Sequence, residues 1–382
     1  MAFKLSLKLK SIVFAISCRT FVATMLVVLS ATLCLATTAP ESSSVASVVF
    51  LNPGEPVDRG KGLFWPMTAR LMGVAAKTFG MELEVLYAER DHLLMLRQAQ
   101  SVAQRTDLPD YVVMVNEKQT APKMLKMFAG ASTKVLLIHN DLTAEQRREI
   151  GNEREQMSHW IGTAKTDEER STFRMMEALY RQLGTAEPQV IGITGARSTP
   201  VSLERAQGVS DYMAQAERGQ QLQLVFSNWS ATDAESKADV LLGRYPQTNI
   251  VWAANYSMAQ GALRAVKSRG SSALVGSTAA APPTSPSMAE QGMAVSLGSH
   301  FFIGAWAMVL LHDYHNGVDF AEYGGARQKL NHLYVITPAN DSRYYEVVYD
   351  KTDALNFSVF SKHLHPSPGD YTFSLAPLMR QK

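Results

Sequence analysis

The stretch YPQTNIVWAANYSMAQGALRAVKSRG, residues 245–270, contains one complete strand-and-helix unit. Its apolar run at 250–253 has no polar alternation, which predicts a strand buried on both faces, with Trp252 in the core. Residues 258–268 carry apolar side chains at helical spacing and stop just before Gly270, which predicts a helix. A doubly buried strand followed by a helix is the building unit of a parallel α/β sheet.

The same unit recurs through the chain from residue 47 onward. Further buried strands are predicted at 48–51, 83–87, 111–115, 135–139, 190–194, 222–226, 273–275, 294–297 and 333–338. Further helices are predicted at 66–79, 93–104, 121–128, 203–216, 231–244 and 301–315. Residues 141–188 interrupt the alternation with a charged, helical stretch, and one more strand is predicted at 344–349.

The interruption divides the pattern into two rounds of comparable length, as expected for a chain of 382 residues. The fold class is therefore α/β, with two doubly wound parallel-sheet (Rossmann-like) lobes joined by a hinge and a ligand cleft between them. Such sheets bind ligands at the carboxyl ends of their strands, and hinge closure is the expected motion. The predicted segments are a signal peptide at 1–39, an N-terminal lobe at 47–158 with a returning segment at about 301–330, a C-terminal lobe at 159–298, and a hinge crossing with a C-terminal tail at 331–382.

The first residues have the plan of a secretory signal peptide. Four basic residues and no acidic ones lie within residues 1–20, an apolar run follows at 21–36, and small residues come next. Cleavage after Ala36, Ala39 or Ala46 fits this plan, and an uncleaved anchor is the alternative. The apolar run has about 16 residues where a spanning helix needs about 20, which favours cleavage and a periplasmic location. Both cysteines, Cys18 and Cys34, precede these cleavage sites, so the mature chain is expected to have no disulfide.

Composition and motifs argue against several function classes. The chain has 37 basic and 35 acidic residues, which gives no electrostatic basis for nucleic-acid binding. The sequence has no G-x-S-x-G, H-E-x-x-H, P-loop or G-x-G-x-x-G motif, so we expect no enzyme activity and no cofactor. His312 and His315 have the spacing of one helical turn, but surface or core use is preferred to metal binding, and no metal site is predicted.

Four stretches resemble the type I periplasmic binding proteins, which are best known from ribose and galactose uptake. Residues 245–270 are similar to the family's Tyr-Pro, strand, Asn-Asp-x-Met-Ala-x-Gly-Ala-Leu pattern. IGITGARSTPVSLERAQGVSDYM at 191–213, HWIGTAKTDEE at 159–169 and VVFLNPGEPVDRGKGLFWP at 48–66 match further family segments in the same order. The resemblance covers about residues 47–338 and implies a binding protein without catalysis.

The family's sugar-contacting positions fall on specific residues of this sequence. In the first lobe the resemblance implies ligand contacts by Asn52, Phe64, Trp65, His139 and Asn140. In the second lobe it implies Arg205, or Arg197 in the preceding loop, together with Trp229, Asn255 and Thr278. The last family contact falls within residues 296–300. Phe64 and Trp65 can also be read as core residues, but their position after a strand end favours stacking on a ligand, opposite Trp229.

Three departures from the family pattern remove carboxylates from these positions. The family's Asp-Arg is His139-Asn140 here, its Asn-Asp is Asn255-Tyr256, and a later Asp is Thr278. Carboxylates form strong paired hydrogen bonds with sugar diols, so a simple hexose or ribose is not the expected ligand. A modified sugar, a polyol or a small signalling molecule remains open. The expected partner is a membrane ABC permease or, alternatively, a membrane sensor kinase or diguanylate cyclase, and the protein is expected to be a monomer.

Overall fold

The computed structural model describes residues 45–56, 58 and 63–381. The predicted signal peptide and both cysteines therefore lie outside the described residues. Across the described ranges, no helix is long and apolar enough to cross a membrane.

The described residues form twelve strands. They are β1 (Ser47–Asn52), β2 (Glu82–Tyr87), β3 (Tyr111–Met114), β4 (Lys134–Ile138), β5 (Trp160–Thr166), β6 (Gln189–Thr194), β7 (Gln220–Phe226), β8 (Ile250–Ala253), β9 (Leu274–Ser277), β10 (Met293–Gly298), β11 (Arg327–Leu330) and β12 (Tyr334–Ile336). The α-helices are α1 (Phe64–Phe79), α2 (His92–Ala103), α3 (Ala121–Met127), α4 (Ala144–Ile150), α5 (Glu168–Leu183), α6 (Pro200–Gln215), α7 (Ala231–Arg244), α8 (Tyr256–Ser268), α9 (Met288–Gln291), α10 (Ile303–His315), α11 (Asp341–Tyr345) and α12 (Ala376–Met379).

Two six-stranded sheets organise these elements into two lobes. The first sheet has the order β11-β5-β4-β3-β1-β2 and the second the order β12-β10-β9-β8-β6-β7. Neighbouring strands are parallel in both sheets, except that β12 runs antiparallel to β10. The central strands are apolar and buried on both faces, as their uninterrupted Val, Leu and Ile runs require. The predicted fold class of two parallel-sheet α/β lobes is confirmed.

The predicted start of the second lobe at 159 was wrong. Residues 160–166 form β5, which pairs with β4 on one side and β11 on the other, so the first sheet extends to Thr166. The charged stretch 141–188 is thus two helices separated by a strand. This strand was not predicted because the threonines and the lysine of WIGTAKT interrupt its apolar run. Thr163 and Thr166 are nevertheless buried within the sheet.

The predicted strand at 344–349 was also wrong. These residues form the end of α11 followed by a π-helical turn, Glu346–Asp350. The buried residues Tyr344, Val347 and Val348 are spaced at i, i+3 and i+4, which is the periodicity of a helix face. The tail from 337 onward then runs back over the first lobe.

The chain therefore passes between the lobes four times. It leaves the first sheet after β5, returns after β10, leaves again after β11, and returns along the tail. Two of these crossings are joined directly, because Asp167 N donates to Leu330 O at 2.9 Å and Thr166 Oγ1 lies 3.0 Å from His332 Nε2. The hinge is thus a set of hydrogen-bonded segments.

Candidate functional site

A cavity of about 880 Å3 lies where the carboxyl ends of the two sheets face each other. The first lobe contributes residues that follow β1, β2, β3 and β4, namely Leu63, Phe64, Trp65, Arg90, Glu117, His139 and Asn140. The second lobe contributes Arg205, the loop at 279–284 and Gly298 at the end of β10, and the crossing after β10 contributes Ser299, His300 and Phe301. One lining residue, Tyr349, comes from the tail.

Backbone strain concentrates at this edge of both sheets. Non-glycine residues with positive φ follow the ends of β2, β3, β4, β7 and β10; they are Glu89, Arg90, Lys118, Gln119, His139, Trp229 and Ser299. Left-handed backbone costs free energy for residues that have a Cβ, so it persists only where the surrounding structure enforces it. Arg90, His139 and Ser299 are among these residues and line the cavity. The strained positions therefore mark the edge on which the cavity is built.

Phe64 and Trp65 begin α1 and form an aromatic cluster with His139. The ring centroids of Phe64 and Trp65 are 4.7 Å apart, and those of Phe64 and His139 are 4.8 Å apart. Asn52 positions this cluster from below, because its Nδ2 donates to Trp65 O at 3.2 Å and its Oδ1 accepts from Gly54 N at 2.8 Å. A Cβ on Gly54 would lie 2.2 Å from the Trp65 Cβ, so only glycine fits beneath the indole.

Arg205 is held by a buried ion pair. Its Nε and Nη2 donate to the two carboxylate oxygens of Glu168 at 2.8 and 3.1 Å, and its Nη1 donates to Ala254 O at 2.6 Å. Nη2 also lies 3.4 Å from His300 Nε2. A guanidinium has five N–H donors, so these partners leave at most one for a ligand. Because a guanidinium only donates, His300 accepts through Nε2 and is neutral in this arrangement.

The histidines around this ion pair are kept uncharged by their surroundings. Burial lowers the pKa of His139 to about 4 and that of His300 to about 4. Burial also lowers the pKa of His332, at the third crossing, to about 3. Burial alone would raise the pKa of the Glu168 carboxyl, but the Arg205 guanidinium outweighs it and the pKa is lowered to about 2. At neutral pH the region thus contains neutral imidazoles and one internally balanced ion pair.

A second ion pair lies at the first-lobe rim of the cavity. Arg90 Nη2 is 3.3 Å from Glu117 Oε1, with the arginine side chain more exposed than the carboxylate. Each of the two acidic groups at the site is therefore matched by an arginine. This pattern suits a ligand without net charge.

Four of the predicted contact residues lie outside the cavity lining, namely Asn52, Trp229, Asn255 and Thr278. Asn52 is fully buried beneath Trp65, and Thr278 is buried with its hydroxyl donating to Ala254 O. Asn255 caps α8 by accepting from Met258 N at 2.7 Å, and it donates to Trp229 O at 3.3 Å. These side chains are occupied by helix capping and loop packing, which are the common alternative uses of polar residues at strand ends.

Trp229, the predicted opposing half of the aromatic clamp, is not among the residues that line the cavity. Its ring covers Gly195 so closely that a Cβ there would lie 2.0 Å from the indole, and its Nε1 donates to Thr199 Oγ1 at 3.3 Å. Arg197, the alternative to Arg205, stacks on Phe226 at 4.3 Å and also lies outside the lining. The aromatic residues that share the cavity with Phe64 and Trp65 are Phe301 and Tyr349.

Sequence reasoning missed several cavity residues for identifiable reasons. Ser299 and His300 fall inside the range 296–300 that the resemblance left open, and the positive φ of Ser299 has no sequence signature. Arg90 and Glu117 follow predicted strands, which is a signal that could have found them. Tyr349 had no signal, because it reaches the cavity only through the tertiary path of the tail. In the described part of the chain, no group of three His, Cys, Asp or Glu residues could hold a metal ion.

Comparisons with known proteins agree with this geometry. Residues 57–318 match the family profile described as a periplasmic binding protein domain. A crystal structure of a periplasmic sugar-binding protein from Pseudomonas fluorescens is 31% identical, with a TM-score of 0.69 over 88% of this chain and 100% of that one. A solute-binding protein from Actinobacillus succinogenes 130z with bound D-allose is 15% identical, with a TM-score of 0.62 over 78% and 100% of the two chains.

A third structure extends the similarity of fold. The arabinose transporter's periplasmic binding protein from Shewanella sp. ANA-3 is 15% identical, with a TM-score of 0.60 over 81% of this chain and 97% of that one. A search of functionally curated proteins found no match.

Proposed function

The chain belongs to the periplasmic binding protein family, with its two-lobed type I fold, and we propose that it captures a small uncharged polar ligand, a sugar or sugar-like molecule, in the cavity between its lobes. The observation that carries the proposal is the set of aromatic rings and neutral hydrogen-bonding groups at the facing strand ends. Aromatic faces pack against the C–H faces of sugars. The neutral imidazole of His139 can both donate and accept, and that of His300, which accepts from Arg205 through Nε2, can donate through Nδ1.

Lobe closure would supply the affinity. Closing the cleft removes water from hydrogen bonds made by both lobes, and the closed form presents a surface that the open form does not. We propose that a membrane ABC permease recognises this closed form and takes up the ligand. The protein acts by binding, without catalysis, as a monomer in the periplasm after export by residues 1–39.

Thermal-shift measurements test the binding proposal. Protein unfolded and refolded to remove carried-over ligand is mixed with D-galactose, D-glucose, D-allose, L-arabinose or myo-inositol. A ligand of the folded state raises the Tm in proportion to the logarithm of its concentration. Asn140→Ala, which removes an amide from the cavity lining, should reduce the shift, whereas Gln104→Ala, an exposed amide at the end of α2, should leave it unchanged. No shift with any of these compounds, nor with a glycoside of one of them, would contradict the proposal.

A sensing role is the second candidate, favoured by the tail that contacts both lobes. A membrane sensor kinase or diguanylate cyclase would then read the closed form in place of a permease. Uptake of a radiolabelled compound identified by thermal shift, measured in wild-type and gene-deleted cells, separates the two roles. Loss of uptake on deletion supports delivery to a permease, and unchanged uptake supports sensing.

A further inference from the structure

The tail is attached to the second lobe near the cavity. Tyr345 OH donates to Ala281 O at 3.0 Å, and Asp341 Oδ2 accepts from Met288 N at 2.9 Å. Tyr344 is fully buried against Gly298, where a Cβ would lie 2.4 Å from the tyrosine hydroxyl oxygen. This end of the tail is therefore part of the packed second lobe.

The later part of the tail is attached to the first lobe. Phe357, Phe360 and Phe373 surround Trp306 of α10, with ring centroids 4.8 to 5.5 Å from the indole. Asp313, fully buried on the same helix, accepts from Lys362 N at 2.6 Å and from Tyr371 OH at 2.7 Å. The residues between these two attachments, including the π-helical turn Glu346–Asp350, therefore run from the second lobe to the first.

Tyr349 lies in that turn and lines the cavity. Its ring stacks on Tyr345 at 5.7 Å with an interplanar angle of 16°, and it meets Phe301 edge-on at 5.9 Å. Single π-helical turns are rare and occur often at functional sites. The packing of Tyr349 between a second-lobe attachment and a crossing residue fixes its position at the cavity wall.

The wall that Tyr349 belongs to is chemically different from the rest of the site. Phe301 and the loop residues Ala279, Ala280, Ala281, Pro282 and Pro283, which all have apolar side chains, complete it, and Thr284 is the one polar residue of that loop in the lining. The other polar groups of the lining come from elsewhere. His139 and Asn140 follow β4, Arg90 and Glu117 follow β2 and β3, Ser299 and His300 lie in the crossing after β10, and Arg205 lies in α6. A volume of about 880 Å3 falls in the upper part of the range of about 300–1,000 Å3 for sites of drug-sized ligands.

We propose that Tyr349 contacts the ligand and that the wall it forms with Phe301 and the loop at 279–283 receives an apolar substituent, so that the ligand is a glycoside, a sugar whose anomeric carbon carries an apolar group. This inference rests on the proposed function. The polar groups hold the hydroxyl-bearing ring, the apolar wall removes the substituent from water, and the tail becomes a structural part of the binding site.

Matched pairs of probes test the inference by isothermal titration calorimetry. D-Galactose is compared with phenyl β-D-galactopyranoside, and D-glucose with phenyl β-D-glucopyranoside. We expect the wild-type protein to bind at least one phenyl glycoside about tenfold or more tightly than its free sugar. Tyr349→Ala should remove most of that difference and Tyr349→Phe should retain it, whereas Tyr323→Ala, a half-buried tyrosine outside the cavity lining, should not change it.

A second variant, in the part of the wall that the second lobe contributes, keeps the test valid if Tyr349→Ala fails to fold. Ala280→Asn places a polar amide on the same wall from the second lobe and should reduce the preference for the glycoside. Free sugars binding as tightly as the glycosides, or a preference that neither variant alters, would overturn the inference and leave the proposed function standing. Absence of binding by both free sugars and glycosides would overturn the proposed function and this inference together.

Discussion

Arg205 and Glu168 form a bidentate ion pair in the interior of the second lobe, with N–O distances of 2.8 and 3.1 Å. Glu168 is the first residue of α5, directly after the first crossing, and Arg205 lies in the second turn of α6 and lines the cavity. The pair thus connects the start of the hinge to the site. It also orients the guanidinium so that His300 and Ala254 complete its hydrogen bonds.

Glu168→Gln should destabilise the protein by about 3 kcal/mol, because removing one partner of a buried pair leaves the other charge uncompensated. The free energy of unfolding measured in urea gives the value. Glu169→Gln is the matched control, since Glu169 pairs with Lys329 at 3.0 Å between partly exposed side chains and should cost less than about 1 kcal/mol. Equal losses of unfolding free energy for the two variants would show that the buried Glu168–Arg205 pair contributes no more stability than the exposed pair.

Stability should fall as the pH drops from about 6.5 to 4. The pKa values of His139 and His300 are lowered to about 4 in the folded state, so over this range the unfolded chain binds more protons than the folded one. Above about pH 7.5 these groups are neutral in both states and stability should be level. The lowered pKa of Glu168, about 2, adds a further loss below about pH 4.5. Differential scanning calorimetry between pH 4 and 7.5 measures the trend.

His300→Asn identifies the source of this pH dependence. The variant keeps a side-chain acceptor for Arg205 but removes one titrating group, so its Tm should fall less steeply between pH 6.5 and 4. His365→Asn, at an exposed position in the tail, should follow the wild-type curve. A His300→Asn profile that coincides with the wild type would contradict the assignment.

Asn52→Ala should weaken ligand binding although Asn52 does not line the cavity. The change leaves Gly54 N and Trp65 O without their side-chain partner, which costs about 1–3 kcal/mol and loosens the aromatic cluster. Urea unfolding and thermal shift with the compounds named above measure both effects. Asn52→Asp keeps an acceptor for Gly54 N but buries a carboxylate against Trp65 O, so it should be at least as damaging as alanine. An alanine variant that unfolds and binds like the wild type would argue against this positioning role.

Asp313→Asn should release the tail from the first lobe. Both carboxylate oxygens accept hydrogen bonds in the buried site, and an amide can replace only one of them, so we expect a loss of about 3 kcal/mol. Hydrogen exchange should accelerate across residues 356–381. Asp353→Asn, which alters the partly exposed pair with Arg70, should leave exchange in that segment close to wild type. Unchanged exchange in Asp313→Asn would place the anchor elsewhere.

Much of the fold could be predicted because buried parallel strands leave a strong local signal. The runs at 48–51, 135–139 and 250–253 overlap β1, β4 and β8 within a residue or two. β5 was not predicted because its buried threonines, Thr163 and Thr166, make the strand look polar. The helical segment of the tail was not predicted because its helical periodicity extends over only a few residues. In both cases the burial of the side chains depends on contact partners that are distant in sequence.

The site was predictable only in part, for a related reason. Phe64, Trp65, His139 and Asn140 follow strands whose carboxyl ends face the cavity, and the structure brings them together there with Arg205. Trp229, Asn255 and Thr278 occupy equivalent positions in the second lobe but are engaged by Thr199, Met258 and Ala254. Position relative to a strand places a residue at the edge of the sheet; it does not say whether its polar atoms are already in use.

The sequence by itself determined the two parallel-sheet lobes and the edge at which they face each other, because strand burial and helix periodicity are local properties of the chain. Only the tertiary structure decided which groups at that edge line the cavity. It engages Arg205 with Glu168, turns Trp229 onto Gly195, and brings Tyr349 from the tail to the cavity wall. These outcomes depend on contacts between segments that are far apart in sequence. The free energy of burying a polar or aromatic group depends on the partner beside it, and the tertiary structure determines that partner.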